Sequence, residues 1–389
     1  MYNLTTELIR RGATPVKIVC FGDHAKRDSF ARFDAQHSIP VVRITNMVTR
    51  FRAWVFGMRT PETMSRAYGV VVSVVDGMAT TWALLWVVCG CIRRFSERTI
   101  VLHCHDYAST FVGVIARTLF PRSQIRILFI SSSDDVRSGS RFFTRIVSWT
   151  VRHADHSLCV SRALARGLVE RFDVPADRVS VYYSWIDLGT LVKEFGAIDF
   201  DRSTDDKTRL LFAGRINREK GINELLTLVR HIDRAGLGNR YHLTIVGDSD
   251  LPIVDEVKRT AGASPSLTFV GRVDKPALWR YFASHDIFLM PSQCEEGFGN
   301  VILESYAFGM PVIGARRGGI PEGLEKFLVY SLLDSCEPEA MLAAIQTVRA
   351  KIDALGRRRL LEQSHAALVE YFSPKNFDIY QSVVDRLTS

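Results

Sequence analysis

The segment 291–322 concentrates residue types that bind phosphate and sugar hydroxyls. It holds Glu296 and Glu304 with a Gly-Phe-Gly turn between them. A helix that starts near Asn300 would leave its first backbone N–H groups free, and such groups bind anions. Because helical side chains lean toward the N-terminus, the Glu304 carboxylate would point back at the same pocket. The alternative is two surface glutamates on a capped helix, but a second glycine turn at Gly318–Gly319 favours a ligand such as a sugar phosphate.

Two other clusters could suggest a metal ion. Asp248–Asp250 follows the end of a predicted strand, and we interpret it as a solvated turn. Strand alternation puts His103 and His105 on one face and Cys104 on the other, with no further ligands nearby. His105 ends its strand just before Asp106, so we assign it to the site and interpret His103 as a core residue. No metal site is predicted.

Short β-branched runs, each followed by a helix-like segment, must position these residues. Near-continuous apolar strands of this kind indicate parallel sheets that are covered by helices on both faces. The predicted strands are residues 17–21, 40–44, 99–105, 125–130, 157–161, 179–184, 209–214, 241–247, 267–271, 287–292 and 311–315.

A polar, Asp-rich stretch at residues 189–208 has no strand pattern and divides the chain. The length of 389 residues also fits two domains better than one. We therefore predict an α/β fold of two doubly wound, Rossmann-like domains whose parallel sheets face each other across a ligand cleft. Residues 1–188 would form the first domain, residues 209–370 the second, and residues 371–389 a final helix.

Composition excludes some classes of protein and favours an anionic partner. A hydrophobic share of 47% and a charged share of 24% exclude disordered, collagen-like and coiled-coil chains. The net charge of +8 suits a phosphorylated molecule, nucleic acid or an anionic membrane. Seven scattered cysteines without a Cys-x-x-Cys pair indicate reduced thiols, and the N-terminus lacks a signal-peptide pattern, so we expect a cytoplasmic protein.

The segment 70–92 is apolar enough to raise the question of a membrane span. Asp76 lies inside it, and a carboxylate at mid-membrane is costly, so we favour a buried helix. Phe51, Trp54 and Phe56 lie among arginines and fit either an interfacial anchor or a solvated basic helix with a core face. Contact with the inner face of a membrane is therefore a hypothesis.

With these motifs, the chain resembles the retaining, two-domain GT-B glycosyltransferases of the family-4 type. This is the group 1 class, with glycogen synthase-like and sucrose synthase-like members. Glu296 and Glu304, with seven residues between them, resemble its paired-glutamate motif. The stretches 101–106 (VLHCHD), 153–187 and 213–222 (AGRINREKGI) also match, and residues 371–387 resemble the terminal helix that crosses back to the first domain.

The resemblance implies roles for the matching positions. Arg215 and Lys220 would neutralise the diphosphate of a nucleoside-diphosphate sugar, and Glu304 would hold its ribose. Glu296 would hold the hydroxyls of the donor sugar. The other implied positions are His105 near the reacting centre, Gly22 in the turn after the first strand, Arg272 and Val273 beside the nucleobase, and Phe298, Gly299 and Asn300 at the helix start. The catalytic set is thus His105, Arg215, Lys220 and Glu296.

The implied activity is retaining, metal-independent transfer of a sugar to a saccharide or lipid-linked acceptor in glycan or polysaccharide biosynthesis, without a cofactor or nucleic acid. Positive groups at the leaving diphosphate would suit this chemistry. A sugar-nucleotide epimerase on the same scaffold and a catalytically silent nucleotide-sugar-binding subunit remain alternatives. No Gly-x-Gly-x-x-Gly follows the first strand, so a hydride-transferring enzyme is poorly supported.

Overall fold

The computed structural model of the protein describes two groups of parallel strands with helices packed on them. The described residues are 18–21, 41–44, 81–82, 84–94, 99–132, 141–189, 191, 207–249 and 252–389. Every strand pairing within these ranges is parallel. The α/β class and the parallel sheets expected from the apolar strand pattern are therefore confirmed.

The first half of the chain contributes a four-stranded sheet and a separate strand pair. The pair is β1 (Ile18–Phe21) and β2 (Val41–Ile44), and the sheet has the order β3 (Ile100–Cys104), β4 (Ile125–Ser131), β5 (His156–Cys159) and β6 (Val179–Val181). Its helices are α1 (Tyr107–Leu119), α2 (Arg141–Arg152) and α3 (Arg162–Phe172). Inside the sheet, Ile127 and Leu128 are fully buried, as expected for a strand covered on both faces.

The second half forms a six-stranded sheet. Its strands are β7 (Thr208–Ala213), β8 (Tyr241–Val246), β9 (Leu267–Gly271), β10 (Ile287–Met290), β11 (Val312–Ala315) and β12 (Ser331–Leu333). Its helices, and the two that end the chain, are α4 (Ile222–Arg234), α5 (Ile253–Ala263), α6 (Lys275–Ser284), α7 (Asn300–Ala307), α8 (Ile320–Leu324), α9 (Pro338–Leu355), α10 (Arg357–Tyr371) and α11 (Phe377–Thr388).

The strand order of the second sheet is β9-β8-β7-β10-β11-β12. The chain fills the sheet outward from β7 in one direction and then, from β10, in the other. Loops that leave the carboxyl ends of β7 and β10 therefore diverge and open a crevice between them. In doubly wound sheets, this switch point is where ligands bind.

All eleven predicted strands are present, and β12 is a twelfth that was not predicted. The apolar segment before β3 differs from the expectation of a buried helix. Its described part, residues 81–82 and 84–94, is helical and lies at the surface: Leu84 and Ile92 are buried, but Trp82 and Trp86 are 69% and 80% exposed. Within the described ranges, no helix is both long and apolar enough to cross a membrane.

The last helix, α11, packs on the first sheet. The Tyr380 hydroxyl lies 3.1 Å from Nδ1 of His103 on β3, and Arg126 of β4 donates a hydrogen bond to the carbonyl of Leu387. The Trp185 ring contacts the Phe377 ring edge-on at 6.3 Å. The C-terminal helix thus packs on the first half of the chain, as predicted. The second sheet starts with β7 at Thr208, one residue before the predicted start of the second domain.

Candidate functional site

The loop after β7 is built to present a lysine. Asn217 caps the short 3₁₀ helix Arg218–Lys220, because its side chain accepts a hydrogen bond from the Lys220 N–H at 2.9 Å. Gly221 then takes a left-handed conformation with φ of +80°, and a Cβ there would lie 2.0 Å from the Pro291 carbonyl oxygen. Only glycine permits this approach, which sets the start of α4 against the loop after β10.

The loop after β10 carries Glu296, whose carboxylate is almost buried at 9% exposure. Its Oε1 atom accepts hydrogen bonds from Lys220 Nζ at 2.5 Å and from Ser292 Oγ at 2.7 Å, and Cys294 Sγ lies 4.0 Å from it. The neighbouring Glu295 instead accepts from the Gly318 N–H at 2.5 Å. The two adjacent glutamates therefore have different partners: Glu296 contacts the loop after β7, and Glu295 binds the glycine turn at Gly318.

The sheet topology explains why Lys220 and Glu296 meet. β7 and β10 are neighbours in space, and their loops leave from the same edge at the switch point. The Gln293 N–H donates to the Glu219 carbonyl at 2.7 Å and ties the two loops together. A cation and a carboxylate from distant parts of the chain are thus held side by side in the crevice.

The start of α7 provides the anion-binding backbone expected from the sequence. Gly299 is its N-cap, in a left-handed conformation, and no side-chain hydrogen bond caps this helix. Asn300 is exposed at the first position. The first N–H groups of α7 are therefore not capped by a side chain, and they carry the positive end of the helix dipole. Phe298 serves the fold: its 2% exposed side chain packs between the rings of Tyr183 and Phe372.

Glu304 lies on α7, and its nearest cationic partner is Lys275, with Nζ 3.4 Å from Oε1. Lys275 opens α6 and follows the exposed Arg272 and half-buried Val273. The two predicted nucleoside contacts, Glu304 and the segment 272–273, are therefore joined by a lysine that sequence reasoning did not single out. Its signal was the Asp-Lys-Pro helix start after a glycine-ended strand.

Arg215 is exposed just after β7. Among the residues that the structure describes, no carboxylate pairs with it. Gly22 lies outside the described residues, as do the aromatic cluster Phe51–Phe56 and one end of the Asp248–Asp250 turn. Asp248 itself accepts from the next backbone N–H, as a solvated turn does. In the described ranges, no group of three His, Cys, Asp or Glu residues could hold a metal ion.

His105 ends β3 immediately before α1. Asp106 caps that helix through the Ser109 N–H at 2.6 Å, which fixes the turn carrying His105. Burial lowers the pKa of His105 to about 4, so its imidazole is neutral at pH 7. His103 is likewise neutral, since burial lowers its pKa to about 4, and it contacts Tyr380 as a core residue would.

Two close contacts join the domains at this edge. A Cβ on Gly297 would lie 2.0 Å from the carbonyl oxygen of Ser132, at the end of β4. Glu322 on α8 accepts hydrogen bonds from the N–H groups of Arg162 and Ala163, both at 2.7 Å, and from the Tyr183 hydroxyl at 3.2 Å. A second-domain carboxylate thus caps helix α3 of the first domain, a role that the sequence did not reveal because its partners lie about 160 residues away.

Both halves of the chain match known protein families. Residues 1–190 match the family model described as Glycosyltransferase Family 4, and residues 207–350 match the one described as Glycosyl transferases group 1. An uncharacterized glycosyltransferase of Methanocaldococcus jannaschii is 28% identical over 237 residues, 57% of this chain and 59% of that protein. The match with this relative therefore spans less than two thirds of the relative's length.

Two further proteins extend the comparison. A D-inositol 3-phosphate glycosyltransferase of a Nocardioides strain is 27% identical over 316 residues, 72% of this chain and 67% of that protein. The crystal structure of Anabaena HepE in complex with UDP and glucose superposes with a TM-score of 0.68 at 18% identity, covering 99% of this chain and 95% of that one.

Parallel α/β sheets, a crevice at the switch point and superposition over nearly the whole chain define the two-domain GT-B architecture, which confirms the predicted fold class. The chain belongs to the family-4 GT-B glycosyltransferases, as the paired-glutamate motif indicated.

Proposed function

We propose that this protein is a retaining, metal-independent glycosyltransferase that moves a sugar from a nucleoside-diphosphate sugar to a saccharide or lipid-linked acceptor. The observation that carries the proposal is the direct contact of Lys220 with Glu296 in the crevice between β7 and β10. It puts a cation suited to a diphosphate next to a carboxylate suited to sugar hydroxyls. At the bond between its diphosphate and its sugar, a nucleotide sugar needs both groups next to each other.

The leaving group is served by positive groups from three places. Cleavage of the glycosidic bond develops negative charge on the diphosphate. Lys220, Arg215 and the uncapped start of α7 supply a preformed positive field for that charge. Since the chain itself provides these charges, the proposed reaction needs no divalent cation.

The sugar would be held by Glu296. Both of its hydrogen bonds to Lys220 and Ser292 use Oε1. Oε2 is then the atom that can accept a hydrogen bond from a sugar hydroxyl, while Lys220 and Ser292 keep the carboxylate oriented. This arrangement supports the role that the family resemblance implied for the residue.

The nucleoside would extend toward α6. Glu304 can accept hydrogen bonds from ribose hydroxyls, and Lys275 keeps its carboxylate in place. Arg272 and Val273, at the end of β9, would border the base. His105 would face the donor sugar from the first domain as a neutral group, since burial holds its pKa near 4. The UDP and glucose named for the HepE structure support this class of donor.

A thermal-shift screen against nucleoside diphosphates and their sugars would test the proposal, because a ligand that binds the native state raises its melting temperature. We expect at least one nucleotide sugar to stabilise the protein. Turnover with a suitable acceptor should continue in EDTA, and NMR should show the donor's anomeric configuration in the product. Isomerised sugar formed without acceptor would instead identify an epimerase, and binding without turnover on any acceptor would identify a silent subunit.

A further inference from the structure

Three successive helices of the first domain share an outward face that the proposed active site does not use. They are the helix of residues 81–82 and 84–94, α1 and α2, and we call their outer surface the three-helix face. Its exposed large side chains are Trp82 at 69%, Trp86 at 80%, Leu119 at 58% and Trp149 at 44%. Three tryptophans open to water on one domain are unusual, because this side chain normally finds cover.

Contacts between the helices show that the face is continuous. Leu84 packs in one cluster with Val112 of α1. Arg93 lies over the ring of Phe120, which directly follows α1, at 5.6 Å. On the other side of α1, the ring of Phe111 contacts that of Trp149 at 6.1 Å. The tryptophans of the outer two helices therefore flank α1 on a shared surface.

The charge on this face is mostly positive. The three helices contain no Asp or Glu, and their arginines are Arg93, Arg94, Arg117, Arg141, Arg145 and Arg152. Arg117 is bound to Asp155. Arg145 and Arg152 are exposed and line a depression of about 560 Å³ together with Ser148, Trp149, His153 and Asp173. Tryptophan beside arginine, almost without acid, is the composition of a surface that meets lipid headgroups.

We propose that the three-helix face docks on an anionic lipid bilayer. The tryptophan rings would enter the interface, and the arginines would contact lipid phosphates, each strengthening the attraction to an anionic surface. A second copy of the chain fits the face less well, because a symmetric dimer would bring the same arginines against each other. An anionic surface, in contrast, neutralises every arginine at once.

The direction of the helices connects this surface to the cleft. Leu84 lies beside Val112, and Arg93 lies beside Phe120, so the first helix and α1 run the same way. The N-terminal end of α1 directly follows His105 at the carboxyl edge of β3. Trp82 and Trp86 therefore lie toward the cleft edge of the domain. If the proposed function is correct, the docked enzyme would take a lipid-linked acceptor from the membrane at that edge.

Vesicle flotation tests the docking without any turnover, so it stands apart from the proposed activity. We expect the full-length protein to float with vesicles of phosphatidylcholine and phosphatidylglycerol in equal parts, and less with phosphatidylcholine alone. The Arg145→Glu/Arg152→Glu variant should bind about tenfold more weakly or worse. Trp82→Ser/Trp86→Ser should also lose binding. Both changes are at exposed positions, so thermal unfolding should show that each variant remains folded.

Matched controls lie on the second domain, where Arg280→Glu/Arg359→Glu and Leu328→Ser/Val369→Ser make the same kinds of change at exposed positions. These variants should float as the wild type does. Equal loss in the controls, equal binding to neutral vesicles or no flotation at all would overturn the proposal. So would light scattering that shows a dimer which dissociates when Trp82 and Trp86 are replaced.

Discussion

The crevice of the second domain and the three-helix face of the first domain use charge in opposite ways. In the crevice, both lysines have a carboxylate partner: Lys220 contacts Glu296, and Lys275 lies 3.4 Å from Glu304. On the three-helix face, the arginines almost lack acidic neighbours and tryptophans stand among them. Paired charges hold side chains in fixed positions, as a small polar ligand requires. Charges of one sign next to apolar rings suit an extended anionic surface.

The largest effect should come from replacing Lys220. Lys220→Ala should lower turnover by about 10²–10³-fold, because a preformed positive group at the leaving diphosphate is lost. It should also weaken binding of the free nucleoside diphosphate. Arg218→Ala, an exposed change in the same 3₁₀ helix, is the matched control and should leave kinetics nearly unchanged. Unchanged kinetics in Lys220→Ala would remove the residue from the diphosphate site.

Glu296→Gln should lower turnover by about 10–10²-fold, the worth of a hydrogen bond to a charged group. The sugar loses its anionic acceptor, while the nucleoside diphosphate keeps most of its contacts. The adjacent Glu295→Gln is the control, since that carboxylate braces the Gly318 N–H. If steady-state kinetics showed the two variants to be equally impaired, the difference between these neighbours would not concern the sugar.

Glu322→Gln tests the joint between the two regions. An amide cannot accept from both the Arg162 and Ala163 N–H groups as the carboxylate does, so the start of α3 loses part of its cap. We expect a loss of about 1–2 kcal/mol in the free energy of unfolding, measured by denaturant titration. Glu325→Gln, an exposed change just beyond α8, should cost much less. A neutral result for Glu322→Gln would mean that the cap contributes nothing to stability.

The pH dependence of stability should be the smallest of these effects. Burial lowers the pKa of both His103 and His105 to about 4, below their ordinary value of 6.5. Between pH 6.5 and 4 the unfolded chain binds more protons than the folded one, so these residues make stability fall as pH falls through this window. Above pH 6.5 their contribution should be constant. A break in the turnover profile near pH 6.5 that disappears in His105→Gln would show that this imidazole titrates normally.

The two regions also differ in how far they could be predicted. The crevice could be predicted from the sequence because its signals are local: glycine turns, a strand end and a helix start surround Glu296 within a few residues. Its pairing with Lys220 came from the family resemblance, and the order of β7 and β10 explains it. Ser292, Lys275 and Glu322 were missed, because a single polar side chain near a turn carries no pattern that names a distant partner.

The three-helix face could not be predicted in this way. The segment 70–92 is apolar nearly all round, and such a helix reads as buried. Periodicity does not reveal which side of an apolar helix the rest of the chain leaves uncovered. The exposure of Trp82 and Trp86 follows from the packing of Leu84 on α1, a contact between segments that are separate in sequence.

Calorimetric titration of the wild type and Glu296→Gln, each with a nucleoside diphosphate and with its sugar, tests the central claim most directly. The wild type should bind the nucleotide sugar more tightly than the diphosphate alone. In the variant this gain should vanish, while affinity for the diphosphate stays close to that of the wild type. A variant that loses affinity for both ligands equally, or that keeps the full gain from the sugar, would contradict the account of one pocket divided between Lys220 and Glu296.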